Sequence, residues 1–127
     1  MRGPIVQPGP RRASLDQLTP PPRKYSSSWS ATLQAPTDDL HRDTVEAFVV
    51  DVVGNIDLAG VPMRMRLEPR VGDPHRWVDA TAVSVKDNHG TYSAFLAPRD
   101  SGRYDVVVKP VVPGQRPTIY AGRVAVH

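Results

Sequence analysis

The segment 72–77 carries the side chains that come nearest to a chemical site. Trp77 offers an indole ring on which a sugar could stack, and Asp73, His75 and Arg76 offer hydrogen bonds for sugar hydroxyl groups. An aromatic surface with a few convergent polar groups is typical of small-ligand sites. One hypothesis is therefore a carbohydrate-binding or cell-surface adhesive module. The alternative is that Trp77 opens a strand and packs in a core.

No other set of residues has the spacing that catalysis or metal binding requires. The four histidines are far apart in the sequence, and no H-x-H or H-E-x-x-H pattern places two of them on one metal. Cysteine is absent, and no serine lies in a G-x-S-x-G motif. We expect no catalytic residue, no metal and no cofactor, and hence not an enzyme.

The first third of the chain differs in composition from the rest. Residues 1–36 hold half of the 14 prolines and five basic residues against one acidic residue, with few large apolar side chains. Such a segment buries too little apolar surface to offset its conformational entropy. We expect it to be an extended N-terminal arm that gains a shape only on another protein. Its candidate partner-binding residues are Arg11, Arg12, Arg23, Lys24, Tyr25 and Trp29.

Two of these assignments have alternatives. Trp29 could instead pack on this chain's own domain, where a first strand begins. The basic pairs could be solvated charges that contribute only to solubility. The excess of four positive charges in this segment is too small to predict nucleic-acid binding, so nucleic acid is not an expected partner.

The remaining residues, 37–127, have the pattern of a β-domain. A chain of 127 residues holds one small domain, and its high proline content disfavours long helices. Met63, Met65 and Leu67 alternate with polar residues, as one buried face of a strand requires. Six runs have strand composition, namely 44–53, 61–68, 76–86, 91–98, 103–109 and 119–126.

A possible short strand near Trp29 to Leu33 would make a seventh. The inward face of the run 76–86 is ambiguous, whereas Tyr92 and Tyr104 each begin a clear inward row. The predicted fold class is all-β, a single immunoglobulin-like β-sandwich of six to seven strands with an extended N-terminal arm.

Two motifs support this prediction. Residues 87–98 read D-x-x-G-T-Y-x-x-x-x-x-P, and residues 102–108 read G-x-Y-x-V-x-V. Together they resemble the signature of filamin-type immunoglobulin-like (E-set) repeats, over about a quarter of the chain. We expect Gly90 and Gly102 to adopt positive φ in tight turns. The resemblance implies a sandwich that binds peptides by β-strand addition, and Pro62 nominates the strand beginning at Val61 as its edge.

These observations rank three functions. The first is a non-enzymatic structural subunit of a large assembly, of the kind that decorates or cements a phage capsid or tail, with residues 1–36 bound to other subunits. The second is the carbohydrate-binding module, and the third is an intracellular scaffold that binds peptides by strand addition. No apolar run reaches the roughly 20 residues of a membrane helix and no signal peptide is visible, so we expect a virion or cytoplasmic protein without membrane insertion.

Overall fold

The computed structural model describes residues 28–127, and these residues form an antiparallel β-sandwich. Its strands are β1 (Ser30–Ala35), β2 (Glu46–Val53), β3 (Met63–Pro69), β4 (Val78–Lys86), β5 (His89–Leu96), β6 (Gly102–Pro110) and β7 (Ile119–Val126). The all-β, immunoglobulin-like prediction is confirmed. Within this part of the chain no helix has the length and apolar content needed to cross a membrane.

The strand order is β1-β2-β5-β4-β3-β6-β7. Strand β4 belongs to both layers, because Val78 to Ala80 pair with β3 whereas Thr81 to Lys86 pair with β5. A strand that changes sheets makes the corner between the two layers of a sandwich. The linker before β2 then ties the layers together at Leu40, which pairs in parallel with Val126 of β7.

The alternating patterns of the sequence match the buried faces of the strands. Met63, Met65 and Leu67 of β3 are buried, as are Tyr92, Ala94 and Leu96 of β5 and Tyr104, Val106 and Val108 of β6. Strand β4 has no fully buried residue, because its second half lies at a sheet edge. Its ambiguous register in the sequence therefore has a physical cause.

The hairpin between β4 and β5 differs in one respect from the expectation. Gly102 has the expected positive φ, of 135°, but Gly90 does not, and Asp87 supplies the left-handed residue of the turn with φ of 56°. Gly90 is needed for space instead. A Cβ at this position would lie 2.7 Å from Cε1 of Tyr92, whose ring occupies the room that the glycine leaves.

The sandwich begins earlier than the boundary expected between residues 36 and 37. Strand β1 lies within residues 1–36, and it pairs with β2 from Ser30 onward. Trp29 is only 3% exposed and belongs to the core of its own domain. Its indole Nε1 donates a hydrogen bond to Oε1 of Gln115 at 3.2 Å. Trp29 is therefore not available as a partner-binding residue, because the apolar surface it would offer is already buried.

Candidate functional site

A cleft lies at one end of the sandwich, between the β3–β4 loop and the turn that joins β5 to β6. Its volume is about 430 Å³. We call it the end cleft, and its lining residues include Arg70, Asp73, His75, Arg99, Asp100, Arg103 and Tyr104. A neighbouring cleft of about 530 Å³ shares Asp73, His75 and Arg99, and it adds Arg76 and Phe95. Three of the four predicted glycan-site residues therefore come together at this end.

Hydrogen bonds hold the floor of the end cleft in place. The Tyr104 hydroxyl donates to the Asp100 carbonyl oxygen at 2.7 Å and accepts from the Asp100 amide at 3.1 Å. This is a tyrosine corner, in which a tyrosine near the start of a strand bonds the backbone a few residues upstream. The His75 ring packs edge-on against the Tyr104 ring, with 5.3 Å between the centroids.

His75 connects the two loops of the cleft. Its Nε2 accepts the Arg99 amide at 3.4 Å, and its Nδ1 lies 3.3 Å from Nη2 of Arg99. Partial burial lowers the pKa of His75, the Arg99 guanidinium lowers it further, and Asp100 opposes the change. A cation beside a partly desolvated imidazole disfavours its protonated form. The cleft is therefore an environment of positive potential around a neutral histidine.

The structure places Trp77 apart from the other predicted glycan-site residues. The Arg66 guanidinium carbon lies 4.2 Å from the Trp77 ring centroid, and Lys109 Nζ lies 5.4 Å from it. Arg66 alternates with the buried Met65 and Leu67, so it points to the outer side of the sheet, and Trp77 lies there with it. Trp77 is neither in the core nor a lining residue of the end cleft. The four residues do not form one sugar site.

We call the outer side of β3, β6 and β7, together with Trp77, the Trp77 face. Its arginines have carboxylate partners: Arg66 bonds Glu68 at 2.9 Å, Arg123 bonds Asp105 at 3.2 Å, and Arg64 lies 3.3 Å from Asp79. Val107, at the centre, is on the outward row of β6 and yet 0% exposed. The sequence analysis missed this face, although the alternation of Arg64, Arg66 and Glu68 was its signal.

The other sequence-predicted residues fall into two groups. Arg11, Arg12, Arg23, Lys24 and Tyr25 lie outside the described residues. Of the histidines, His127 lies 2.8 Å from Asp39, and its ring centroid is 6.5 Å from that of His41. Between residues 28 and 127 no group of three or more histidine or acidic side chains is arranged to hold a metal ion.

One sheet edge is open. Residues 81–84 of β4 are all exposed, and Val83 is 63% exposed. Residues 81–86 pair with β5 on one side only. The strand nominated by Pro62 is not this edge, since β3 lies between β4 and β6 and Pro62 precedes its first residue. The sequence did not reveal the change because an edge strand follows from non-local pairing.

Comparisons with known proteins complete the description of the fold. No protein-family model matches the chain, and a search of curated proteins finds no match. Among solved structures, a crystal structure of the CARDB domain of a Pyrococcus furiosus protein in complex with di-metal ions aligns with a TM-score of 0.45 and 16% identity. That alignment covers 78% of this chain and 87% of that one. A solution NMR structure of the same domain aligns with a TM-score of 0.46 and 14% identity, covering 78% and 94% of the two chains.

Similarity at this level does not establish a relationship of family or function. The assignment of an immunoglobulin-like sandwich rests instead on this chain's own strand order and on the strand that is shared between its layers.

Proposed function

We propose that this chain is a non-enzymatic structural subunit of a large assembly, a decoration or cement protein of a virion such as a phage capsid or tail. In this proposal the sandwich is the body of the subunit, and the 27 residues before Ser28 bind a neighbouring subunit. The observation that carries the proposal is the contrast between these two parts. The core cluster of the sandwich draws all its members from Trp29 to Val126, so the earlier residues are not needed to complete it.

The composition of the N-terminal residues supports an interaction with protein. Residues 1–27 contain five basic side chains and one acidic side chain, and they contain six of the 14 prolines. A proline-rich segment loses less conformational entropy when it is ordered on a partner than a flexible segment does. Charge-assisted hydrogen bonds from arginine favour an acidic surface on that partner.

The geometry of the sandwich supports a structural role. Its end cleft contains one histidine that packs on a structural tyrosine, and the described carboxylates do not form a catalytic pair with it. A general acid or base needs a group poised to exchange a proton with substrate. The surface of the body is better suited to contacts than to chemistry.

The experiment compares two charge variants in the natural source. The first replaces Arg11, Arg12, Arg23 and Lys24 with glutamine, and the matched control replaces Arg42, Arg76, Arg103 and Arg116. We expect the first variant to lose at least about tenfold in co-sedimentation with the assembly, since each charged hydrogen bond contributes about 1.5–3 kcal/mol. The control should sediment as the unchanged chain does. Equal losses in both variants would contradict the proposal.

A second candidate function is peptide capture by strand addition, the mode implied by the resemblance to filamin-type repeats. The observation in its favour is the open edge at residues 81–86, where the run from Ala80 to Val85 carries no charge. An exposed, uncharged edge is a template for an extended peptide. The partner would be an extended segment with alternating apolar side chains.

Two exposed valines provide the matched test of this second function. Val83 lies on the open edge and is 63% exposed, whereas Val45 lies before β2 and is 61% exposed. Peptides selected from a random display library against the full chain should lose binding to Val83→Lys and keep it for Val45→Lys, because a lysine on an edge opposes strand pairing. Peptides that bind both variants equally would remove this candidate.

A further inference from the structure

We infer that the end cleft binds a phosphate or sulfate group of a small ligand through the guanidinium groups of Arg70, Arg99 and Arg103. These three arginines come from two separate loops and line one cavity. Neither the position of the N-terminal residues nor their binding to a neighbour enters the inference, so it stands apart from the proposed function.

Backbone contacts hold the three arginines close to one another. The Arg70 amide donates to the Arg103 carbonyl oxygen at 3.1 Å, which extends the β3–β6 ladder by one step beyond the pair of Pro69 and Tyr104. The tyrosine corner at Asp100 fixes the turn between Arg99 and Arg103. The bases of all three side chains are therefore positioned by main-chain structure, and only the side chains must be ordered when a ligand binds.

The arginines of the end cleft also lack the partners that the arginines of the Trp77 face have. Among residues 28–127, no carboxylate lies within ion-pair distance of Arg70, Arg99 or Arg103. Asp73 and Asp100 line the cavity as well, so the three cations outnumber the anions by one. Planar guanidinium groups with unused donors match the oxygens of a tetrahedral oxyanion.

The size of the cavity indicates what carries the anion. Ligand pockets of small molecules have volumes of roughly 300–1,000 Å³, and the end cleft, with about 430 Å³, is near the lower end of that range. A free phosphate ion would leave most of this space empty. The cleft therefore suits a monoester, with the anion at the arginines and a small organic group beside Gly72 and Pro69.

His75 reports on the occupancy of the cleft. The positive charge of Arg99 lowers its pKa, and Asp100 raises it. An oxyanion bound at Arg99 would offset that positive charge and raise the pKa of His75. The experiment titrates the full chain with inorganic phosphate and, separately, with inorganic sulfate at constant ionic strength adjusted with chloride, and follows the imidazole proton resonances of His75 by NMR.

We expect a saturable rise in the His75 pKa with at least one of the two anions. Saturation by phosphate alone identifies a phosphate ester as the ligand class, and saturation by both identifies the shared oxyanion chemistry. The double variant Arg99→Gln/Arg103→Gln should begin with a higher His75 pKa and should lose the anion-dependent rise, with affinity falling at least about tenfold. Arg116→Gln, on the β6–β7 loop, is the charge-matched control and should behave as the unchanged chain.

Three results would overturn the inference. The first is no saturable change of His75 with either anion. The second is an anion-dependent rise that persists in Arg99→Gln/Arg103→Gln, and the third is an equal loss of affinity in Arg116→Gln, which would indicate screening of the whole protein's charge.

Discussion

The hydroxyl of Tyr104 makes two hydrogen bonds to the backbone of Asp100, donating to its carbonyl oxygen at 2.7 Å and accepting from its amide at 3.1 Å. The tyrosine ring is buried in the core, while the turn it bonds forms the wall of the end cleft. One residue thus connects the core of the sandwich to the position of the loop that carries Arg99 and Arg103.

Replacing Tyr104 with phenylalanine should lower the free energy of unfolding by about 1 kcal/mol, because the Asp100 amide and carbonyl lose a partner while the ring remains. Urea denaturation followed by far-ultraviolet circular dichroism measures the change. Unchanged stability would show that water replaces the hydroxyl without cost.

The second buried tyrosine predicts the opposite outcome. The Tyr92 hydroxyl is buried, and no described residue offers it a hydrogen bond; this burial also raises its pKa. Tyr92→Phe removes a desolvated polar atom without breaking a bond, so the free energy of unfolding should stay the same or rise by up to about 1 kcal/mol. A loss as large as that of Tyr104→Phe would reveal a partner for this hydroxyl.

Gly54 should tolerate no side chain. A Cβ there would lie 2.5 Å from Cζ3 of Trp29, which is far inside van der Waals contact. Gly54→Ala should cost about 1–3 kcal/mol by overpacking. Because the clash is with the indole ring, Gly54→Ala should cost less in a Trp29→Leu background, and a double-mutant cycle measures that coupling. Additive costs would mean that Trp29 is not what fills the space above Gly54.

The stability of the sandwich should depend on pH through His75. Its pKa is lower in the folded chain than in the unfolded chain, so the unfolded chain binds the proton first as the pH falls. His75 therefore contributes stability that is complete above its unfolded pKa of about 6.5 and is lost below it.

Between about pH 7.5 and pH 5 the unchanged chain should lose more stability than His75→Gln. The other three histidines are present in both chains, so the difference isolates His75. Parallel pH profiles of the midpoint of urea denaturation would contradict the assignment.

The strands were predictable because their signal is local. The alternation through Met63, Met65 and Leu67 requires only that one face of a strand be buried, and all three are. The signature around Tyr92 and Tyr104 was similarly informative, since a buried tyrosine after a turn is a device of sandwiches. These features depend on residues close together in the sequence.

The candidate sites were less predictable because they depend on distant residues. Trp29 is buried by Gly54 and Gln115, which no local pattern connects to it. The end cleft joins Arg70 to Arg103, which are neighbours only because β3 pairs with β6. Trp77 and His75 are two residues apart in the sequence and nevertheless serve different surfaces.

The central claim is that residues 1–27 attach a self-sufficient sandwich to a larger assembly. The deletion must stop at residue 27, because a longer one reaches Trp29 and β1. The decisive measurement is the occupancy, per particle, of the full chain and of residues 28–127 when each is produced in the natural source. Amide NMR spectra should first show that the shortened chain is folded and monomeric. We predict that it is then absent from the particle fraction, whereas undiminished occupancy would contradict the account.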